Sequence, residues 1–243
     1  MTNNYREIIY ARYTSQYMTE YLVFDQSRYD REAVSLQKRL EKWLPADKTA
    51  NILDVACGAG QFLYFLNKKG YINVAGVDVS PEQVEISRKV CSNVVLTDAL
   101  VYLTEHKNTF DLITGFDVIE HFQKSELFPM LDALHGALKP GGRLILQTPN
   151  AESPWGMKVR YGDLTHELAF EPTVLKRTLA AAGFDFYEAR ECGPYAHGFI
   201  SFVRCCVWQT FRQLLKLWNL AEVGNAGSGI YTRVFVAKAD KRV

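Results

Sequence analysis

Asn51-Ile52-Leu53-Asp54-Val55-Ala56-Cys57-Gly58-Ala59-Gly60-Gln61-Phe62 is the stretch that decides the fold. An apolar run of strand length enters a turn with two glycines, and a helical pattern follows at once. Glycine lets backbone approach a ligand where a Cβ would collide. The D-x-x-x-G-x-G spacing departs from the dinucleotide fingerprint G-x-G-x-x-G, because position 63 is leucine, and it lacks a phosphate-loop lysine. A pyrophosphate is therefore not the expected guest.

Outward from this unit, strands and helices alternate. The patterns predict strands at 51–55, 73–78, 93–97, 110–115, 142–148, 184–190 and 230–238, and helices near 60–69, 81–90, 124–137 and 172–182. Two helices, 3–23 and 30–43, precede them, ended by Leu44-Pro45-Ala46-Asp47-Lys48. Repeated β-α-β order implies a largely parallel sheet covered on both faces. Ligands then collect beyond the carboxyl ends of the strands. Three acids fall near such ends: Asp54, Asp78 and Asp98. Asp78 is suited to accept from both ribose hydroxyls of a nucleoside, and Asp98 from an exocyclic adenine amine. Ser80, Pro81 and Gln83 read as a capping box opening the helix after Asp78.

The chain has 243 residues, 48% hydrophobic, which favours one large domain over two. A formal net charge of +1 argues against a broad nucleic-acid surface. Five cysteines, an odd number without C-x-x-C spacing, argue against a disulfide framework or a zinc site. The polar start and the lack of a membrane-length apolar run give a cytoplasmic expectation.

"LDVACGAGQF", "GVDVS", "TDAL", "FDLITGFDVIEH" and "LKPGGRLIL" together resemble the class I S-adenosylmethionine-dependent methyltransferases. The resemblance implies an α/β, Rossmann-like sheet of seven strands, mostly parallel, with the last strand antiparallel between strands five and six. It implies one domain over 1–243: an N-terminal helical lid (1–45), a core (46–193 and 229–243) and a helical insertion (194–228). By the same analogy Asp54, Gly58 and Gly60 line the methionine part of S-adenosyl-L-methionine, and Ala56 and Cys57 of the same turn also bind the cofactor. Asp78 takes the ribose, Val79 packs on adenine, Asp98 and Ala99 hold its edge, and Phe116 lies near the cofactor. S-adenosyl-L-homocysteine is the implied product.

Substrate chemistry is expected beyond strands four and five. "FDVIEH" places Asp117, Glu120 and His121 on one face if a helix starts there. "GDLTHE" brings His166 on a loop that should overhang the site. Imidazole titrates near neutral pH, so His166 or His121 is a candidate to take an acceptor's proton. Related ubiquinone-pathway and small-RNA 2′-O-methyltransferases carry a similar acid-x-x-Glu-His segment with a later histidine and use a divalent metal. A metal on Asp117, Glu120, His121 and His166, direct substrate contact, and a plain helix-capping role all stay open.

In the insertion, Ile200, Val203, Val207, Phe211, Leu214 and Trp218 form an apolar stripe, with Arg204, Trp208, Arg212 and Lys216 on another face. This reads as a helix packed on its own domain or on a second subunit. The alternative is an interfacial helix over 199–220 that meets a membrane or a lipid-linked substrate. The expected activity is methyl transfer to a hydroxyl, on a sugar of a surface glycan or its precursor. The alternatives are a quinone or small-aromatic O-methyltransferase, a non-catalytic S-adenosylmethionine-binding protein, and, against the near-neutral charge, an RNA 2′-O-methyltransferase.

Overall fold

A computed structural model describes residues 5–242. Seven strands form one sheet in the order β3-β2-β1-β4-β5-β7-β6. They are β1 (Ile52–Val55), β2 (Val74–Asp78), β3 (Val94–Leu96), β4 (Phe110–Phe116), β5 (Leu138–Pro149), β6 (Phe184–Glu191) and β7 (Val234–Lys241). β1 pairs parallel with β2 and β4, while β7 runs antiparallel between β5 and β6. The sequence-based expectation of a parallel sheet with an inserted last strand holds.

β1 is buried along its whole length, as a central parallel strand covered on both faces must be. Leu53, Val55, Ile113, Leu144 and Phe235 pack to one side, with Leu131, Leu134 and Leu175. Ile52, Leu112, Ile145 and Val236 pack to the other, with Phe62, Leu66, Leu36, Leu40 and Trp43. The helices that carry most of these residues are α3 (Gln26–Arg39), α4 (Gln61–Lys68), α7 (Lys124–Ala137) and α9 (Pro172–Ala181), with Leu40 and Trp43 in the turn after α3; the short α8 (Gly156–Arg160) lies between β5 and α9.

Four local expectations are corrected. The helix expected over 3–23 is broken into α1 (Tyr5–Tyr10), α2 (Tyr13–Tyr17) and a 3-10 turn at Thr19–Tyr21; its first two residues lie outside the described ones. Ser15 bonds back to the Arg12 carbonyl there, offering the backbone an alternative to the helix ladder. A helix not foreseen, α6 (Ala99–Glu105), follows β3 and is capped by Asp98, which accepts from the Leu100 and Val101 amides. Ser80 sits at the N-cap of α5 (Pro81–Ser87) without a side-chain cap bond, and its amide donates to Asp78 Oδ1 where the capping box would have it donate to Gln83. After β4 there is no continuous helix: Asp117 takes φ +52° and only Ile119–His121 forms a 3-10 turn, so Asp117 does not share a helical face with Glu120 and His121.

α10 (Phe199–Val223) is long and turned opposite to the reading in which it packs its stripe on its own domain. Every residue of the apolar stripe is exposed, from 44% at Val203 to 77% at Ile200. The cationic face meets the fold instead. Arg212 lies 3.4 Å from Glu191 and donates to the Gly229 carbonyl. Among the described residues no helix is long and apolar enough to cross a membrane.

Candidate functional site

The carboxyl ends of β1, β2 and β4 bring the predicted acids and glycines together. Asp78 ends β2 and accepts from the Gly58 amide through Oδ2 at 2.9 Å and from the Ser80 amide through Oδ1 at 2.8 Å. This bridge fixes the glycine turn against the next strand. Asp54 is buried and accepts from Thr114 Oγ1 of β4 at 2.7 Å. Burial raises its carboxyl to about 7, with Thr114 opposing and the Asp78 charge adding to the rise. Asp78 is also raised by burial, against three backbone hydrogen bonds.

The two glycines act differently. A Cβ on Gly58 would meet only the Gln83 and Gln61 side-chain oxygens at 3.6–3.8 Å, so this turn faces a polar space. A Cβ on Gly60 would lie 2.7 Å from Val90 Cγ2 and 3.0 Å from Ser87 Cβ, so Gly60 lets α4 pack on the end of α5. Both residues have positive φ. Ala56 also has φ +53°, and Cys57 is buried with its thiol shielded from ionisation. Val79 is exposed at the mouth, Asp98 is exposed beyond it, Ala99 is half-buried beside it, and Phe116 packs on Phe62 at 5.0 Å between centroids.

Ser80 Oγ, Gln83 Oε1 and Thr14 Oγ1 are shut from solvent and make no hydrogen bond. Buried polar atoms without partners mark a place where a polar ligand completes the structure. An adenosyl group with its ribose hydroxyls and amino-acid tail fits that need. Asp54, Gly58 and Asp78 would hold it, and α1–α2 would cover it. Tyr29 of α3 ties the cover to the turn by donating to the Ala59 carbonyl at 2.7 Å.

Beyond β4 a second cluster forms. Glu120, His121 and His166 place ligand atoms within 4.8 Å of one another. Glu120 is fully buried; Thr148 donates to its Oε2 at 2.9 Å, while Oε1 has no partner. Burial raises the Glu120 carboxyl well above its usual range. The loop carrying His166 is pinned here because the Glu167 and Leu168 amides both donate to the Glu120 carbonyl at 2.8 Å.

Hydrogen bonding sets the histidine tautomers. The Val159 carbonyl can only accept, so His166 Nδ1 donates to it at 3.1 Å and Nε2 keeps its lone pair. Thr165 has one hydroxyl proton, and Asp163 takes it in a 2.6 Å bond. His121 Nδ1, 2.8 Å from the same Oγ1, must then be the donor, which leaves its Nε2 unprotonated. Burial, and next the neighbouring His166, lowers the His121 pKa to about 4. The donor set is thus two lone-pair imidazoles and an orphaned carboxyl oxygen, held by second partners as metal ligands are.

Asp117, the fourth residue of the expected set, is directed elsewhere. Its amide donates to the Gln147 carbonyl and its Oδ2 accepts from Gln147 Nε2 at 2.8 Å. Arg39 donates to Gln147 Oε1 at 2.9 Å, extending the chain to α3. Sequence reading missed Asp163, Thr165, Gln147 and Arg39 as organisers. Asp-x-Thr is a local turn pattern and gave a weak signal for the first pair; nothing in the sequence joins Arg39 to Gln147.

The cover is fastened to this same loop. Tyr13 donates to Asp163 Oδ2 at 2.7 Å, and Tyr5 bonds Glu167. Arg6 pairs with Glu126 at 2.8 Å, and the Tyr10 ring lies edge-on to His121 at 6.3 Å.

The fold is that of solved S-adenosylmethionine-dependent methyltransferases. One from Archaeoglobus fulgidus matches with TM-score 0.62 at 23% identity, over 89% of this chain and 100% of that one. Another from Thermotoga maritima matches with TM-score 0.65 at 18% identity, over 98% and 100%. The chain belongs to the methyltransferase domain family, whose model matches residues 26–189. It is 32% identical over 108 residues to the mitochondrial ubiquinone biosynthesis O-methyltransferase of Rattus norvegicus, covering 41% of this chain and 30% of that protein. It is 32% identical over 91 residues to ajmaline N-methyltransferase of Rauvolfia serpentina, covering 35% and 31%. The chain thus spans about a third of the length of these curated relatives.

Proposed function

We propose that this protein transfers a methyl group from S-adenosyl-L-methionine to an acceptor hydroxyl, assisted by a divalent cation on Glu120, His121 and His166. The carrying observation is the convergence of that donor set just beyond the carboxyl end of β4, the strand that pairs with β1. The cofactor supplies an activated methyl group on a sulfonium. Asp78 is placed to accept from the ribose hydroxyls, Asp54 to face the positively charged amino-acid end, and Asp98 with Ala99 and Val79 to border the base. A bound cation would act as a Lewis acid, lowering the pKa of the acceptor hydroxyl.

The chain's own task is positioning and exclusion of water. Thr165 and Val159 orient the imidazoles, and Tyr5, Tyr10 and Tyr13 close the cover above them. His166 as a proton acceptor without metal is the competing role. The acceptor we favour is a sugar hydroxyl of a glycan or its precursor. The rat relative's name, which points to ubiquinone biosynthesis, supports hydroxyl acceptors generally. The outward stripe of α10 supports a peripheral contact with a lipid surface.

The test is metal analysis joined to turnover. We expect about one Mn²⁺ or Zn²⁺ bound per chain, lost in His166→Ala and Glu120→Gln, with turnover falling ~10²-fold or more in both. Full turnover after exhaustive chelation would overturn the metal role. Full turnover in His166→Ala would overturn both roles of that residue.

A further inference from the structure

A cavity of about 610 Å³ lies at the same edge of the sheet as the methyl-transfer site but outside it. Its walls come from Trp155 beyond β5, the segment 192–197 after β6, the first half of α10, and Thr232–Val234 leading into β7. Three kinds of side chain dominate the lining: aromatic rings (Trp155, Tyr195, Trp208), arginines (Arg204, Arg233) and small polar groups. No carboxylate lines it. Among the described residues neither Arg204 nor Arg233 has an ion-pair partner; the Arg233 guanidinium lies 5.9 Å from the Trp155 ring centre.

Trp208 adds an independent sign. Its indole Nε1 is shut from solvent and has no hydrogen-bond partner. Indole N–H only donates, so it lacks an acceptor that a ligand can bring. The chain passes close to the ring at Gly193, where a Cβ would sit 3.2 Å from Nε1.

A chain of side-chain contacts leads from the cavity floor toward the reaction crevice. Cys192 lines it, and its Sγ lies 3.7 Å from Gln147 Oε1. Gln147 in turn bonds Asp117 at the end of β4. Cys192 and Gln147 therefore stand between a molecule seated in the cavity and Asp117 at the end of β4.

We propose that this cavity anchors the acceptor, and that the acceptor is a phosphorylated sugar. Aromatic faces suit the apolar faces of a sugar ring. Two guanidiniums without acids match the charge of a phosphate dianion and can bind its oxygens bidentately, whereas a single carboxylate would satisfy one of them. The buried indole N–H donates to a ring or hydroxyl oxygen. The volume holds a monosaccharide with its phosphate. This rests on the methyl-transfer reading only for its purpose, not for the binding itself.

The experiment is calorimetric titration of the full chain with glucose 1-phosphate, UDP-glucose and glucose, and separately with S-adenosyl-L-homocysteine. Glucose 1-phosphate is expected to bind at least tenfold more tightly than glucose, and Arg204→Glu and Arg233→Glu each to weaken it at least tenfold. Both arginines are exposed, so both variants are expected to keep the wild-type thermal transition and S-adenosyl-L-homocysteine affinity. Trp208→Phe should weaken the sugar phosphate alone. Tighter binding of UDP-glucose than of glucose 1-phosphate would identify a nucleotide-linked donor of the phosphate; weaker binding would identify a lipid-linked or free one. Equal affinity for glucose and glucose 1-phosphate, or unchanged affinity in both arginine variants, overturns the proposal while leaving the cofactor reading intact. Absence of S-adenosyl-L-homocysteine binding would strike the cofactor reading instead.

Discussion

Asp54 carries the sharpest consequence at the scale of a single residue. Its carboxyl titrates near 7 in the folded chain against an ordinary value of 3.8. A raised carboxyl binds its proton more tightly when folded, so its stabilising effect is full below the unfolded value and is lost as pH rises through about 7. Asp54→Asn keeps an acceptor for Thr114 and removes the titration. The ligand-free variant is therefore expected to melt several degrees above the wild type at pH 8 and to converge with it toward pH 4, by scanning calorimetry. Binding of a cationic ligand should be the reverse: tighter as Asp54 ionises, and weaker in the variant. Gly60 makes the second prediction. Its Cβ would strike Val90 and Ser87, and its φ is +84°, so Gly60→Ala is expected to cost about 2 kcal/mol or more in a denaturant titration. Sequence reading placed this glycine against a ligand; the geometry places it against a helix. Spacing revealed that a Cβ was forbidden there, but not which neighbour forbade it.

At the scale of the element, α10 separates what pattern can tell from what it cannot. Periodicity located the helix and its stripe, because apolar spacing survives without any tertiary knowledge. It could not orient the helix. That choice is made by Arg212, which finds Glu191 on the end of β6, a partner remote in sequence. The outward stripe adds little to the stability of the single chain. Phe211→Glu with Leu214→Glu is expected to leave the melting temperature within about 4 °C, since exposed substitutions stay within ~0.5 kcal/mol each and ~1 kcal/mol moves a domain of this size by about 2–4 °C. The same pair should abolish co-sedimentation with anionic vesicles if the stripe meets lipid, or shift the elution volume if it joins two copies. α6 was missed for a related reason: its start is signalled by Asp98, and a strand-end acid was read as a ligand group before it was read as a cap. The start of the chain was legible as helical. Its break at Arg12 was not, because beside the local Ser15 bond it accompanies the bond of Tyr13 to Asp163, 150 residues away.

For the whole molecule, the sheet order followed from alternation and from the resemblance, and the candidate acids from their positions at strand ends. The Glu120–His121–His166 cluster was legible as a list of candidates but not as a set of three. Asp117 drops out because its backbone turns to φ +52° and its carboxylate is taken by Gln147. Such long-range choices are made by packing, and a one-dimensional spacing carries no record of them.

The cover rests on the loop that finishes the cluster. Tyr13 holds Asp163, Asp163 holds Thr165, Thr165 sets the proton of His121, and Tyr5 grips the residue next to His166. Lifting the cover would break the Tyr13–Asp163 and Tyr5–Glu167 bonds and so loosen the Thr165 hydroxyl that aims His121, while His166 keeps its bond to the Val159 carbonyl. On the proposed methyl-transfer reading, the expected outcome is a compulsory order of addition, the methyl donor first and its spent form last. Product-inhibition kinetics should show S-adenosyl-L-homocysteine competing with the donor and not with the acceptor, and Tyr13→Phe should blur that order toward random addition.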